Sequence, residues 1–183
     1  MMKTNKQLKA GALALLAGLY SAAAFSASYD GVATATIVAP ITLTAGADMS
    51  FGSISAGTAA STVNVSSGNL VAVTVGDAVV TDDAGAALTF ALTAALDASY
   101  SISIADGVLG DGGTNTMTVS NFVSSGNLVT DGGDGSSATG TGTGNPETVT
   151  VSADLAVAAN QPAGDYSTAN GNGTPIVITA DYQ

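Results

Sequence analysis

Threonine alternates with apolar residues again and again in this chain, and that period of two constrains the fold more than any motif does. From Ala33 to Ala45 the odd positions read Ala, Ala, Ile, Ala, Ile, Leu, Ala, while Thr34, Thr36, Val38, Pro40, Thr42 and Thr44 fill the even ones. Side chains of an extended chain point alternately to opposite faces, so such a run presents one apolar face. Strong helix formers cannot compete with it: Glu, Lys, Arg and Gln are scarce, and Gly, Thr, Ser, Ala and Val dominate. Residues 49–54, 62–65, 70–75, 88–92, 100–104, 116–123, 149–157 and 176–182 are further strand candidates, separated by Gly, Asp and Asn turn signals. Short strands at intervals of about 8–12 residues are the pattern of a sandwich or barrel, not of βαβ units. The Ala-rich stretch 83–95 invites a helix, but Leu88, Phe90 and Leu92 alternate with Ala87, Thr89 and Ala91, and its second half reads as a strand. Pro40 cannot donate to a ladder, which places residues 33–45 at a sheet edge or splits them into two strands. The expected fold is all-β, an immunoglobulin-like antiparallel β-sandwich.

The first residues read differently. A basic start with Lys3, Lys6 and Lys9 leads into an apolar stretch to about Tyr20, and then into the small residues Ser21, Ala22, Ala23 and Ala24 before Phe25-Ser26-Ala27. This is the layout of a secretory signal peptide, residues 1–24, with the cut between residues 24 and 27. Residues 25–183 are expected to form a single domain, secreted through the periplasm or held at the cell surface. No segment offers the roughly 18 consecutive apolar residues of a spanning helix, so membrane insertion is not expected.

All three bases of the chain lie in that leader, against 14 acidic residues, and there is no His, Cys or Trp. A surface without cations cannot neutralise phosphates, which disfavours nucleic acid and anionic lipid alike. Without His or Cys the usual general bases, thiolate nucleophiles and soft metal ligands are missing as well. Carboxylate pairs such as Asp82 and Asp83, or Glu147 and Asp154, lack the aromatic platforms of a glycosidase. Catalysis is not expected. Zero Cys in an exported chain leaves packing and hydrogen bonds to hold the fold.

Two local features stand out. The heptapeptide Val65-Ser66-Ser67-Gly68-Asn69-Leu70-Val71 recurs unchanged from Val123 to Val129, and its Gly-Asn centre suits a type II′ hairpin turn. Asp131-Gly132-Gly133-Asp134-Gly135 opens a Gly/Ser/Thr stretch running to Asn145, which reads as a solvated loop. Its carboxylates Asp131 and Asp134, with Asp106, Asp111, Asp82 and Asp83 elsewhere, are weak Ca²⁺ candidates, since the spacing is that of neither an EF-hand nor a Ca²⁺-binding repeat. No other cofactor is expected.

Residues at both ends carry a resemblance. Ala33-Thr34-Ala35-Thr36-Ile37 with Leu43, Met49-Ser50-Phe51-Gly52-Ser53-Ile54, Val149-Thr150-Val151, Gly164-Asp165-Tyr166 and the closing Ile176-Val177-Ile178-Thr179-Ala180-Asp181-Tyr182-Gln183 resemble a family of exported bacterial domains of unknown function. That family is similar to spore-coat-U-type and fimbrial subunits. The apolar alternation of Ile176, Ile178, Ala180 and Tyr182, ending in a penultimate Tyr, is similar to the last strand of chaperone–usher pilins, which a periplasmic chaperone grips by β-augmentation. The resemblance implies a pilin-like, fimbria-like or matrix subunit that polymerises with itself by strand addition, with a chaperone and an usher as further partners. The donor would be the 33–45 run, through Ile37, Ile41 and Leu43. The pilin Cys pair is absent. The alternative is a monomeric secreted binding module whose acidic Gly-rich loop takes Ca²⁺ or a glycan.

Overall fold

The computed structural model describes residues 26–125, 129–130 and 137–183, and every regular element among them is a β-strand. In chain order these are β1 (Thr42–Ala45), β2 (Ser50–Ser55), β3 (Ser61–Val65), β4 (Val71–Val75), β5 (Val79–Ala86), β6 (Leu88–Thr93) and β7 (Ser99–Ala105). There follow β8 (Gly107–Gly110), β9 (Thr116–Ser124), β10 (Val129–Thr130), β11 (Ser137–Thr141), β12 (Glu147–Val157) and β13 (Val177–Tyr182). Residues 26–36 carry no strand and are exposed throughout; the described strands all lie within residues 37–183.

The sheets are organised around β12, whose 11 residues alternate without interruption. Val149, Val151, Ala153, Leu155 and Val157 are buried, and the residues between them are less so. Val151 pairs with both Leu88 and Ser124, and Asp154 with both Asn64 and Ser120. A strand has two edges, so β6 and β3 succeed one another along one edge of β12 while β9 covers the other. With β1 beyond β6, β4 beyond β3 and β8 beyond β9, this makes a 7-stranded antiparallel sheet. A second sheet runs β10-β11-β7-β13, and β2 pairs with β5 in a third. Tyr100, Ile102 and Ile104 of β7 and Ala138 of β11 share one core with Val63, Phe90, Leu92 and the buried face of β12, so the larger sheets pack in a sandwich-like arrangement.

A bulge in β9 sets the phase of that core. Between Ser152 and Asp154 of β12, which are two residues apart, β9 steps from Val123 to Ser120. The extra residue is accommodated at Asn121, whose φ of 54° lies in the left-handed region that Asn tolerates. Val119 and Phe122, three apart, therefore both face inward and are fully buried. Asn121 Nδ2 donates to Asp154 Oδ2 at 3.1 Å, and Asn64 Nδ2 donates to the other carboxylate oxygen at 2.8 Å, tying β9, β12 and β3 together on the outer face.

Several strand expectations need correction. Of residues 33–45 only Thr42–Ala45 form a strand, at the sheet edge, because the fixed ring of Pro40 stops the ladder just before it. The stretch expected to be a loop up to Asn145 contains β11, where Ala138 is buried opposite Ile102; a strand of small residues suffices beside the large side chains of β7. β5 and β8 lacked a clean alternation, and β5 is interrupted by register shifts against β2. The Gly68-Asn69 turn is not type II′. Ser66 N–H bonds to Leu70 O and Asn69 N–H to Ser66 O, and Asn69 rather than Gly68 takes the positive φ of 64°, which makes a three-residue hairpin loop. The centre of the second copy, Gly126-Asn127-Leu128, lies outside the described residues.

Asp77 closes the end of the sandwich where β3 begins. Its carboxylate accepts from Ala59 N–H, Thr58 N–H and the Thr58 hydroxyl at 2.9–3.0 Å, and buried Ser61 Oγ accepts from Asp77 N–H and Ala78 N–H. The Ala59 N–H first, then the Thr58 hydroxyl, hold the Asp77 carboxyl below its ordinary 3.8. The folded state thus favours the anion. That contribution is fully present above the unfolded value and fades as pH falls through the lower folded one. Asp77→Asn should unfold at lower urea than the wild type well above pH 3.8, with the gap closing well below it. A gap independent of pH would show that the charge contributes nothing.

Candidate assembly surface

The residues expected to mediate assembly separate into three groups. Ile37 is 96% exposed and Val38 half exposed, in a stretch that joins no ladder among the described residues. Ile41 is partly buried against the core. Leu43, at 38% exposure, sits in β1 opposite Leu92. The 33–45 run thus divides at Pro40 into an anchored half and an apolar half that joins no described strand.

The C-terminal strand is an edge. β13 pairs with β7 from Val177 opposite Ala105 to Tyr182 opposite Tyr100, and no described strand pairs with its other side. Ile178, Ala180 and Tyr182 pack on the core, as does Ile176 just before the strand, while Val177 is half exposed. The Tyr182 hydroxyl accepts from Ala95 N–H and donates to Ala39 O, both at 2.8 Å. One side chain therefore ties the last strand to the β6–β7 connection and to the point where the 37–41 segment leaves the body.

A groove opens along β2, and sequence reasoning missed it. β2 pairs only with β5 among the described strands; β5 carries an extra residue opposite Gly52, whose φ of 64° and close approach to the Asp82 carbonyl exclude a side chain. Beside β2 lies a cavity of about 700 Å³, lined by Phe51, Ile54, Leu109, Met117, Leu155 and Val157. Its far wall is the 160–166 loop, held by Gln161 Nε2 donating to the Tyr166 hydroxyl at 3.0 Å and that hydroxyl donating to Pro162 O at 2.9 Å. The alternation around Phe51 was legible as a strand, but an unpaired edge is a tertiary property with no local signal.

The Ca²⁺ candidates Asp131 and Asp134 lie outside the described residues. Asp111 is engaged by its own turn: it accepts from Asn115 Nδ2 at 2.6 Å, Gly113 N–H at 2.7 Å, Asn115 N–H at 3.2 Å and Asn172 Nδ2 at 3.4 Å. The Asn115 side chain first, then the Gly113 N–H, pull its carboxyl below the ordinary value. It shapes the β8–β9 turn. Among the described residues no helix is long and apolar enough to cross a membrane.

No curated protein and no solved structure matches the chain. One family does, over most of the length and over every described strand: by its match to residues 41–182, the chain belongs to the family described as Domain of unknown function (DUF4402).

Proposed function

We propose that this protein is a non-catalytic, exported structural subunit of a fimbria-like or matrix polymer, and that it assembles with itself by β-strand addition. The observation that carries the reading is the unplaced apolar segment: Ile37 is 96% exposed, Val38 half exposed, and neither pairs with a described strand. Exposed apolar residues adjoining free sheet edges favour pairing with another chain, because backbone hydrogen bonds and side-chain burial are gained together. The alternation at the C-terminus, similar to that of chaperone–usher pilins, supports the same reading, as does the basic and then apolar start of the chain for export.

The test is the size distribution of the exported protein recovered from the periplasm of an expressing bacterium, followed by light scattering across a concentration series. A ladder of oligomers growing with concentration is expected. A monomer at every concentration would overturn the proposal.

A further inference from the structure

We infer that the groove beside β2 is the acceptor in this assembly, and that its occupant is the 32–39 segment of a second copy, added as a strand along the free edge of β2. The inference rests on the strand-addition reading and names the two surfaces that meet.

Four observations fit this occupant. The groove is lined by every residue from Met49 to Ala56, a length of about 25 Å at roughly 3.3 Å per residue. Residues 32–39 extend equally far. Their odd positions, Ala33, Ala35, Ile37 and Ala39, are apolar and mostly small, which suits a floor already occupied by Phe51, Leu155 and Val157; Val32, Thr34, Thr36 and Val38 face the other way. No charged residue lies between Asp30 and Asp48, so the strand itself brings no like charge to a chain with 14 acidic residues. Finally, Ala39 is held to its own body by the Tyr182 hydroxyl, and Ile41 by the core, so the segment leaves from a fixed point.

Two other free edges, β1 and β13, fit less well. β1 offers only four residues, and the inward side chains of β13 are already packed on their own core.

The chain has no Cys, so introduced thiols report contacts cleanly. Ile37→Cys protein is mixed with separately purified Ser53→Cys protein, whose thiol lies on the groove, or with Val177→Cys protein, whose thiol lies on β13. All three positions are exposed, so each variant is expected to melt like the wild type. After mild oxidation, non-reducing mass spectrometry should find the 37–53 disulfide at least about tenfold over the 37–177 one, a gap of roughly 1.4 kcal/mol. Coupling to position 177 at equal or greater yield, or to neither, while the oligomer ladder persists, would overturn the groove and leave strand addition standing. Absence of intermolecular disulfides from protein that stays monomeric would overturn both.

Discussion

Phe122→Ala should destabilise the domain by about 3–5 kcal/mol, a large share of the roughly 5–15 kcal/mol that holds a domain of this kind together. The side chain is fully buried, and it owes that burial to the left-handed Asn121 beside it. Truncation leaves a cavity whose lining cannot collapse, because it belongs to two sheets pinned by their own ladders. Val123, the next residue, is half exposed, and Val123→Ala should change stability by no more than about 0.5 kcal/mol. Urea unfolding followed by circular dichroism measures both. A cost below about 1 kcal/mol at Phe122, or a cost at Val123 equal to it, would mean that the bulge does not set the phase described.

That bulge also marks where the sequence stops being legible. An uninterrupted period of two announced β12, and the structure places its odd-numbered residues from Val149 to Val157 in the core. In β9 the same rule covers Met117 and Val119, then fails by one residue at Phe122, because a bulge adds a residue without changing composition. β11 was hidden for a different reason. Its Ser-Ala-Thr-Gly-Thr carries no large apolar residue, and it is a strand because β7 offers Ile102 and Tyr100 beside it. Side-chain identity predicts a strand only where the strand brings its own burial.

The candidate assembly surface follows the same division. The alternation in 33–45 and in 176–182 was visible, and β13 lies at a sheet edge. That Ile41 and Leu43 stay with their own body, while Ile37 does not, depended on β1 finding β6 just after Pro40. The groove depended on β2 having one partner rather than two, which is settled by the packing of distant segments such as 160–166.

Ile37→Asp separates folding from assembly more sharply than any other substitution. Within one chain the side chain is 96% exposed, so the variant should keep the wild-type β signal and its unfolding midpoint to within about 0.5 kcal/mol. In the proposed oligomer the same position would be buried in a neighbour. Losing the Ile there forfeits about 1.5–3 kcal/mol, and placing a carboxylate in its stead costs several more. At 1.4 kcal/mol per factor of ten, association should weaken about a thousandfold or further, enough to reduce a ladder of oligomers to monomer at micromolar protein. Ile41→Asp should behave in the opposite order, losing the β signal first, because Ile41 packs on the core of its own chain. Light scattering and circular dichroism on the two variants read both outcomes. An Ile37→Asp protein that still forms the wild-type ladder, or one that unfolds, would remove the segment from the interface and with it the observation on which strand addition rests.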